Sequence, residues 1–577
     1  MWGALDWCDT PHTKPPCGYW SRQEFAAACA AGQERVDLNC YRELEGEIAN
    51  LTLCQKVGFK IVQARKVWHG RYSFTSEDGC ATPGAAPDQT RYLRVRRELS
   101  GTMTWDPDGA APHLRKHLIK GLGGRGREVV MANKSDTHFR PLSRLDFLAR
   151  LGFRALSTLI SGPGLPALDR SWIALSQFRE YPANSTGGKY VVSCDVHNFY
   201  QGVRHADVVD QIVGLTGQLE VALVLNEALQ GMMRGSVGLP QFSEVSDFIS
   251  ELVVSVAERR LLRKGYDVVR FNDDFRFVCS SYRESLDALE EITIELARLG
   301  LSLNDNKTFI FGSAFYKNWI ARPDEEWAKL AGRKDVSPLI GDSIYRSLDG
   351  MIFVDPGEWP AMAKAARAAL ANWSQHRAIG ADDRLASRLQ LDLVRRALAV
   401  LAVLPGEYAD INILVELWHS EPQLSEPISS FVSAAGKENN PIGAAAVERL
   451  VGSSNSGYGS WQTMWLLKAV ASVENIGGAT RSFVLRALNA GTSSVASLGA
   501  VAAAQHRIID IADVAAMFDK VDVASQPEIA ASVAFLAKKD NDRRMRALRG
   551  EGYVLDQILK YNFDELQCFD FSLGRQV

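Results

Sequence analysis

Apolar positions recur along this chain in two different periods, and the change of period divides it. From about residue 111 to 320, strand-like and helix-like runs follow one another. KYVVSCDV is a near-continuous apolar run closed by Asp195, which predicts a buried strand. GQLEVALVLNEALQGMM and FSEVSDFISELVVSVAERRLL carry their apolar residues at helical spacing. VVRFNDDFRFVC sets two apolar runs around Asn272, Asp273 and Asp274, the pattern of a β-hairpin. ESLDALEEITIELARLG predicts an amphipathic helix ended at Gly300, and KTFIFG a further short strand. Such a mixture predicts an α+β or α/β region.

Beyond about residue 355 the pattern becomes helical throughout. RLQLDLVRRALAVLAVL, INILVELWHS, IGAAAVERLV, SWQTMWLLKAVASV, RSFVLRALNAG, IADVAAMFDK and EIAASVAFLAKK are Ala- and Leu-rich segments separated by short polar breaks. Helix pairs every ~30–45 residues predict an α-solenoid, with a single helical bundle as the alternative. Residues 1–110 are aromatic, Cys-containing and turn-rich, and match no recognisable module.

Composition narrows the function classes. A chain of 577 residues is too long for one core, and about two to four domains are expected. A net charge of −3 excludes a whole-chain polycation, so any nucleic-acid contact requires a local patch. One exists: Arg91 to Arg150 holds 13 Lys/Arg against 6 Asp/Glu, including RYLRVRRE and KGLGGRGRE. A solvated basic face and a phosphate-binding face both fit that excess. Of nine cysteines, Cys8, Cys17, Cys29, Cys40, Cys54 and Cys80 cluster early without a Cys-x-x-Cys pair, which argues against zinc and for free thiols in a reducing compartment. The first residues lack a charged start and a long apolar core, and SVASLGAVAAAQHR is too short to span a bilayer. The expectation is a soluble cytoplasmic protein without membrane association.

The hairpin poses the chemical question. Adjacent carboxylates repel, and are tolerable only in open water or opposite a cation. Asp195 is a third carboxylate at the end of a buried strand. Each alone is an ordinary turn or cap residue. On neighbouring strands, however, a strand-end Asp and a hairpin Asp converge on the same divalent ions, which would relieve the repulsion.

These blocks, in this order, resemble the palm of a reverse transcriptase. Asp195 to Tyr200 reads Asp-x-x-x-Phe-Tyr, Gly238 to Gln241 reads GLPQ, and Phe271 to Asp274 is a form of the aromatic-x-Asp-Asp box. LGLSLNDNKT follows with Lys307, and upstream HFRPLSRLDFLARLGFRALSTLI resembles the fingers block. The likeness spans about residues 130–312. It implies an α+β right-hand polymerase (fingers, palm, thumb) followed by an all-α HEAT-like helical repeat. The corresponding domains are an N-terminal extension at 1–110, fingers and palm at 111–312, a thumb-like segment at 313–375 and helical repeats at 376–577. It implies catalytic roles for Asp195, Asp273, Asp274 and Lys307, with Asp195, Val196, Asp273 and Asp274 at two Mg²⁺ ions for which Mn²⁺ substitutes. Arg140 and Lys134 would grip the triphosphate. Tyr200, with Phe199 beside it, would lie under the sugar and exclude a 2′-hydroxyl, and Gln241 would flank the incoming nucleotide. One position departs from the pattern: Phe242 stands where the family has Gly, which puts ordinary copying of a long template in doubt.

No RNase H acidic set, maturase region or Cys/His endonuclease finger is visible, and a helical tail follows instead. That order is similar to the bacterial abortive-infection and defence-associated reverse transcriptases. The similarity implies antiphage DNA synthesis from dNTPs, with a noncoding RNA template or none, and a DNA, RNA or protein hydroxyl as primer. Tyr408, Tyr458, Tyr553 and Tyr561 are the tail tyrosines available for protein priming, with Tyr458 in a loop-like stretch, SSNSGYGSW. It also implies self-association through the helical domain, and a second defence protein as a partner. The alternatives are an RNA-directed RNA polymerase, against which Tyr200 argues, and an idle helical scaffold sensing phage components.

Overall fold

The computed structural model describes residues 127–540, apart from 136–137, most of 147–171, 242, 333–358, 379–383, 404–409, 438–440 and 454–456. The expected N-terminal extension with its six cysteines, most of the basic segment, Phe242, Tyr408, Tyr553 and Tyr561 lie outside the described residues.

The first described element is an antiparallel hairpin of β1 (Arg127–Asn133) and β2 (Phe139–Leu145). Its register pairs Glu128 with Arg144, Val130 with Leu142 and Ala132 with Arg140, so these six share one face. After α1 (Trp172–Asn184) comes β3 (Tyr190–Asp195), then α2 (Phe199–Gly202), α3 (His205–Thr216), α4 (Leu219–Met233) and the long α5 (Glu244–Arg263). The predicted hairpin follows as β4 (Asp267–Phe271) and β5 (Asp274–Cys279), then α6 (Tyr282–Arg298) and β6 (Phe309–Gly312). The four strands form one antiparallel sheet in the order β4-β5-β3-β6.

Strand period explains what this sheet presents. Val192, Cys194, Phe275 and Phe277 point to one face, where they share a core with Ile249 and Leu252 of α5 and Ile292 and Leu296 of α6. The alternate residues Asp195, Asp274 and Arg276 therefore fall on the opposite face. Asp195 lies directly across from Asp274 in the ladder.

From α7 (Ser313–Ala331) onward the described chain is helical: α8 (Trp359–Ala378), α9 (Arg384–Val403), α10 (Ile411–Ser420), α11 (Ser425–Lys437), α12 (Pro441–Gly452), α13 (Ser460–Ser472), α14 (Gly478–Leu488), α15 (Ser493–Gln505), α16 (Ile511–Ala515) and α17 (Gln526–Asp540). The helices α9, α11, α13, α15 and α17 pack each on the next of that series, and α10, α12 and α14 do likewise. Small residues permit the closeness: a Cβ on Gly443 of α12 would meet the backbone N of Gly436 of α11 at 2.7 Å. The boundary expected at residue 375 needs correction. It falls inside α8, whose Ala366, Ala369 and Leu370 are buried in the same core as Trp327 of α7 and the later helices.

The β1–β2 hairpin belongs to this helical core as well. Val130, Ala132 and Leu142 are buried in it, and β1 packs against α13 and α15. A buried polar cluster closes the joint. Arg144 bonds Glu528 and donates to Ser525 Oγ at 2.7 Å, with Glu128 Oε2 at 3.6 Å. Glu128 in turn accepts the Ser494 N–H at 2.7 Å and the Ser525 hydroxyl at 3.0 Å. The chain thus closes on itself, from the hairpin through the palm and around the helices back to the hairpin.

Candidate active site

The β4–β5 turn has only two residues, Asn272 and Asp273, because Phe271 already pairs with Asp274. Asn272 adopts a left-handed φ of 58°, which Asn tolerates better than most residues. Neighbouring bonds tie the turn to β3: the Val196 N–H donates to the Asp273 carbonyl at 3.0 Å, and the Asn304 N–H to the Asp195 carbonyl at 2.8 Å. The result brings carboxylate oxygens of Asp195, Asp273 and Asp274 within 4.8 Å of one another.

These carboxylates are poor in partners on the side they share. Asp195, 2% exposed, bonds through Oδ2 to Lys307 Nζ at 3.0 Å and Asn304 Nδ2 at 3.1 Å. Its Oδ1 and the Oδ1 of Asp273 are buried and accept no hydrogen bond. Desolvation, then the negative Asp274 and Asp195, push the Asp273 carboxyl up to about 7. Asp274 is raised by burial as well, while Arg276, 3.7 Å away, pulls it down. A set of oxygen donors this close, with orphaned lone pairs and mutual repulsion, fits hard divalent cations. Asp195, Asp273 and Asp274 are the residues that would hold them.

Positive groups ring the carboxylates. Lys307 stands on a short 3₁₀ turn, Asp305–Lys307, capped by the Asn304 side chain. Lys134 sits at the tip of the β1–β2 hairpin. Partial desolvation, then Lys307 and Arg140, lower its ammonium below the usual lysine range, while Asp195 and Asp273 pull it back. The hairpin and the palm therefore face one cleft, with Arg140 half-buried opposite Ala132.

The remaining expected residues divide. Tyr200 is half-buried on α2, entered through Asn198 at a left-handed φ of 45°. The GLPQ stretch is stitched to that helix: the Leu239 N–H donates to the Tyr200 carbonyl and the Gly238 N–H to the Val203 carbonyl, both at 2.7 Å. Gly238 has a φ of 98°, and a Cβ there would meet Met233 Cε at 2.9 Å. Gln241 is buried beside this segment. Phe199 is corrected from a substrate contact to a core residue, since it is 3% exposed and packs among the palm apolar residues. Val196 offers no side-chain ligand; its side chain is buried and its N–H is committed to Asp273. The presentation expected of Tyr458 is also corrected: its hydroxyl donates inward to the Leu450 carbonyl at 2.7 Å and its ring lies against Trp418 and His419.

Sequence reading missed the supports of the site. Asp247, Glu251 and Glu258 lie on one face of α5, a spacing of four and seven residues visible in SDFISELVVSVAERR. Glu251 and Glu258 hold the buried Arg270, which donates to the Asn272 carbonyl at 3.0 Å and so fixes the turn from below. Arg276 lies with its guanidinium 4.9 Å from the Phe178 ring. Beyond Lys307, Phe311 stacks on Phe309, Phe315 and Trp319 at 5.5, 5.7 and 5.4 Å, and Arg388 of α9 lies 5.8 Å from the Trp319 ring.

Among the described residues no helix is long and apolar enough to cross a membrane. No curated protein matches the chain. Residues 132–325 match the family described as reverse transcriptase (RNA-dependent DNA polymerase). The stretch that carries Lys134, Arg140, the three aspartates and Lys307 is a reverse transcriptase domain.

Proposed function

We propose that the protein is a DNA polymerase of the reverse transcriptase kind that joins dNTPs in antiphage defence. The observation that carries the reading is the convergence of Asp195, Asp273 and Asp274, with two buried oxygens left without partners, beside Lys307 and Arg276. Two Mg²⁺ ions held there, or Mn²⁺ in their place, would supply activation of the attacking hydroxyl and neutralisation of the leaving pyrophosphate. Asp195 and Asp273 would hold the ions through their unpartnered oxygens, and Asp274, moderated by Arg276, would add an auxiliary carboxylate. Lys307 stands where a cation stabilises the departing pyrophosphate, and Lys134 and Arg140 hold the triphosphate from the hairpin. Tyr200 faces the sugar. The stacked Phe309, Phe311, Phe315 and Trp319, two of them well exposed, form a surface suited to bases of a nucleic-acid strand leaving the cleft.

The template is a noncoding RNA or none. The two-row packing of helices supports reading the tail as a HEAT-like solenoid, through which the protein self-associates in the bacterial cytoplasm and meets a second defence protein. The order of the reverse transcriptase domain and the helical tail supports the defence role.

The test is incorporation of labelled dNTPs and NTPs by purified protein with Mg²⁺ or Mn²⁺, with and without added RNA, beside Asp273→Ala and a plaque assay of the same pair. Expected are dNTP signals and phage protection that both vanish in the variant. Incorporation of NTPs alone would make it an RNA polymerase, and protection that survives Asp273→Ala would make the palm an idle scaffold.

A further inference from the structure

The three acids on α5 divide between two parts of the site. Glu251 and Glu258 reach the carboxylate turn through Arg270. Asp247, one helical turn earlier, accepts the hydroxyl proton of Tyr200. The same Tyr200 oxygen lies 3.5 Å from Asn272 Nδ2, the amide of the residue just before Asp273. Tyr200 stands on a helix of only four residues whose backbone is pinned by the Leu239 N–H on the Tyr200 carbonyl. That fixes one end of the residue, and a bond from the hydroxyl to a carboxylate fixes the far end of the ring with the stronger kind of anchor.

We infer that Asp247 is a positioning residue for sugar discrimination: it holds the Tyr200 hydroxyl, and so fixes the ring at the place where a 2′-hydroxyl would have to fit. The preference for dNTPs over NTPs then depends on Asp247 through the Tyr200 ring. This rests on the reading of the site as a polymerase with Tyr200 at the sugar. A mere brace between α2 and α5 would alter stability, or slow both substrates alike, and leave their ratio unchanged.

The experiment measures kcat/KM for a dNTP and the matching NTP in the full-length protein, its Asp247→Ala, Asp247→Asn and Tyr200→Phe variants, and the Tyr200→Phe/Asp247→Ala double variant. Asp247→Ala should lower the dNTP-to-NTP ratio about tenfold, the scale of one lost hydrogen bond to a charged group. Asp247→Asn, which keeps an acceptor oxygen but not the charge, should lower it about threefold, and it carries the test where the Ala variant does not fold. Tyr200→Phe should match Asp247→Ala, and the double variant should fall no further, because both changes remove the same bond. A ratio unmoved in both Asp247 variants, or additive losses in the double variant, overturns the inference while leaving the polymerase reading intact. Absence of any incorporation by the wild-type protein removes the polymerase reading and this inference with it.

Discussion

The palm and the helical array treat buried polar groups differently. In the array, several buried serines turn back on their own helices: Ser472 Oγ donates to the Ala469 carbonyl at 2.7 Å, Ser497 to Ser494 at 3.2 Å and Ser532 to Glu528 at 2.8 Å. Their hydroxyls are satisfied locally while their small size lets neighbouring helices approach. Among the described array residues, the buried side-chain atoms without a hydrogen bond include neutral groups such as the indole N–H of Trp461 and Trp465, and the carboxylate in that set, Glu528, is paired with Arg144. In the palm the groups without partners include the carboxylate oxygens of Asp195 and Asp273, set beside a third carboxylate. Such an arrangement costs stability in the unliganded protein and is retained only where a ligand uses it. One half of the molecule is arranged for cohesion, the other for an occupant.

Substitutions at matched depths sharpen that contrast. The largest effect is expected at the palm, with opposite signs for activity and stability. Asp273→Asn should lower nucleotide incorporation about a thousandfold or more, as loss of a group acting on developing charge does, yet raise the denaturation midpoint by removing like-charge repulsion. Loss of both activity and stability would mean that Asp273 is structural.

At the joint between hairpin and array the charges are paired, so breaking them should only harm. Arg144→Ala strands Glu128 and Glu528 in a buried site and should cost about 3–5 kcal/mol in urea unfolding. It should also raise KM for dNTPs, because the same hairpin carries Lys134 and Arg140. An unchanged KM in a folded variant would show that the array does not position the hairpin.

Within the array the response should be steric. Ala503 is fully buried on α15, and Ala503→Val, which adds two methyl groups to a close-packed core, should cost about 1–3 kcal/mol without altering KM or substrate preference. A selective change in nucleotide preference there would break the division between cohesion and chemistry.

A pH slope tests the same carboxyl without a substitution. Asp273 holds its proton in the folded protein up to about 7, while its ordinary value is 3.8, so the native state binds the extra proton between those limits. Stability should therefore fall as pH rises from about 4 to 7 and level off above. Asp274, raised in the same direction, adds to the slope. Chemical denaturation across that range should show the slope, Asp273→Asn should reduce it, and Mg²⁺ should stabilise more at pH 8 than at pH 6. A slope of the opposite sign would refute the raised carboxyl.

Much of the palm was legible in the residues themselves. A hairpin announced by two apolar runs, a strand that must end at Asp195 and a helix stopped at Gly300 are local matters of period and turn chemistry, and β5, β3 and α6 stand where the pattern put them. Residue type together with place, a strand-end Asp and a hairpin pair, nominated the three aspartates, though each alone is an ordinary turn or cap residue. What one chain position cannot state is which distant position it meets. Phe199 and Tyr200 are neighbours of similar chemistry, yet one is core and the other is anchored at the cleft, because the short α2 helix turns them to different sides. The SSNSGYGSW stretch reads as an open loop, yet the packing of Trp418 and His419 draws Tyr458 inward. Arg144 and Glu528 are ordinary surface types 384 residues apart, and only the return of the helical array to the hairpin buries them together. Sequence determined the elements and the chemistry of the acids, through local backbone preference and side-chain type. Tertiary structure decided the company each side chain keeps, since burial and electrostatic pairing arise only when distant segments pack.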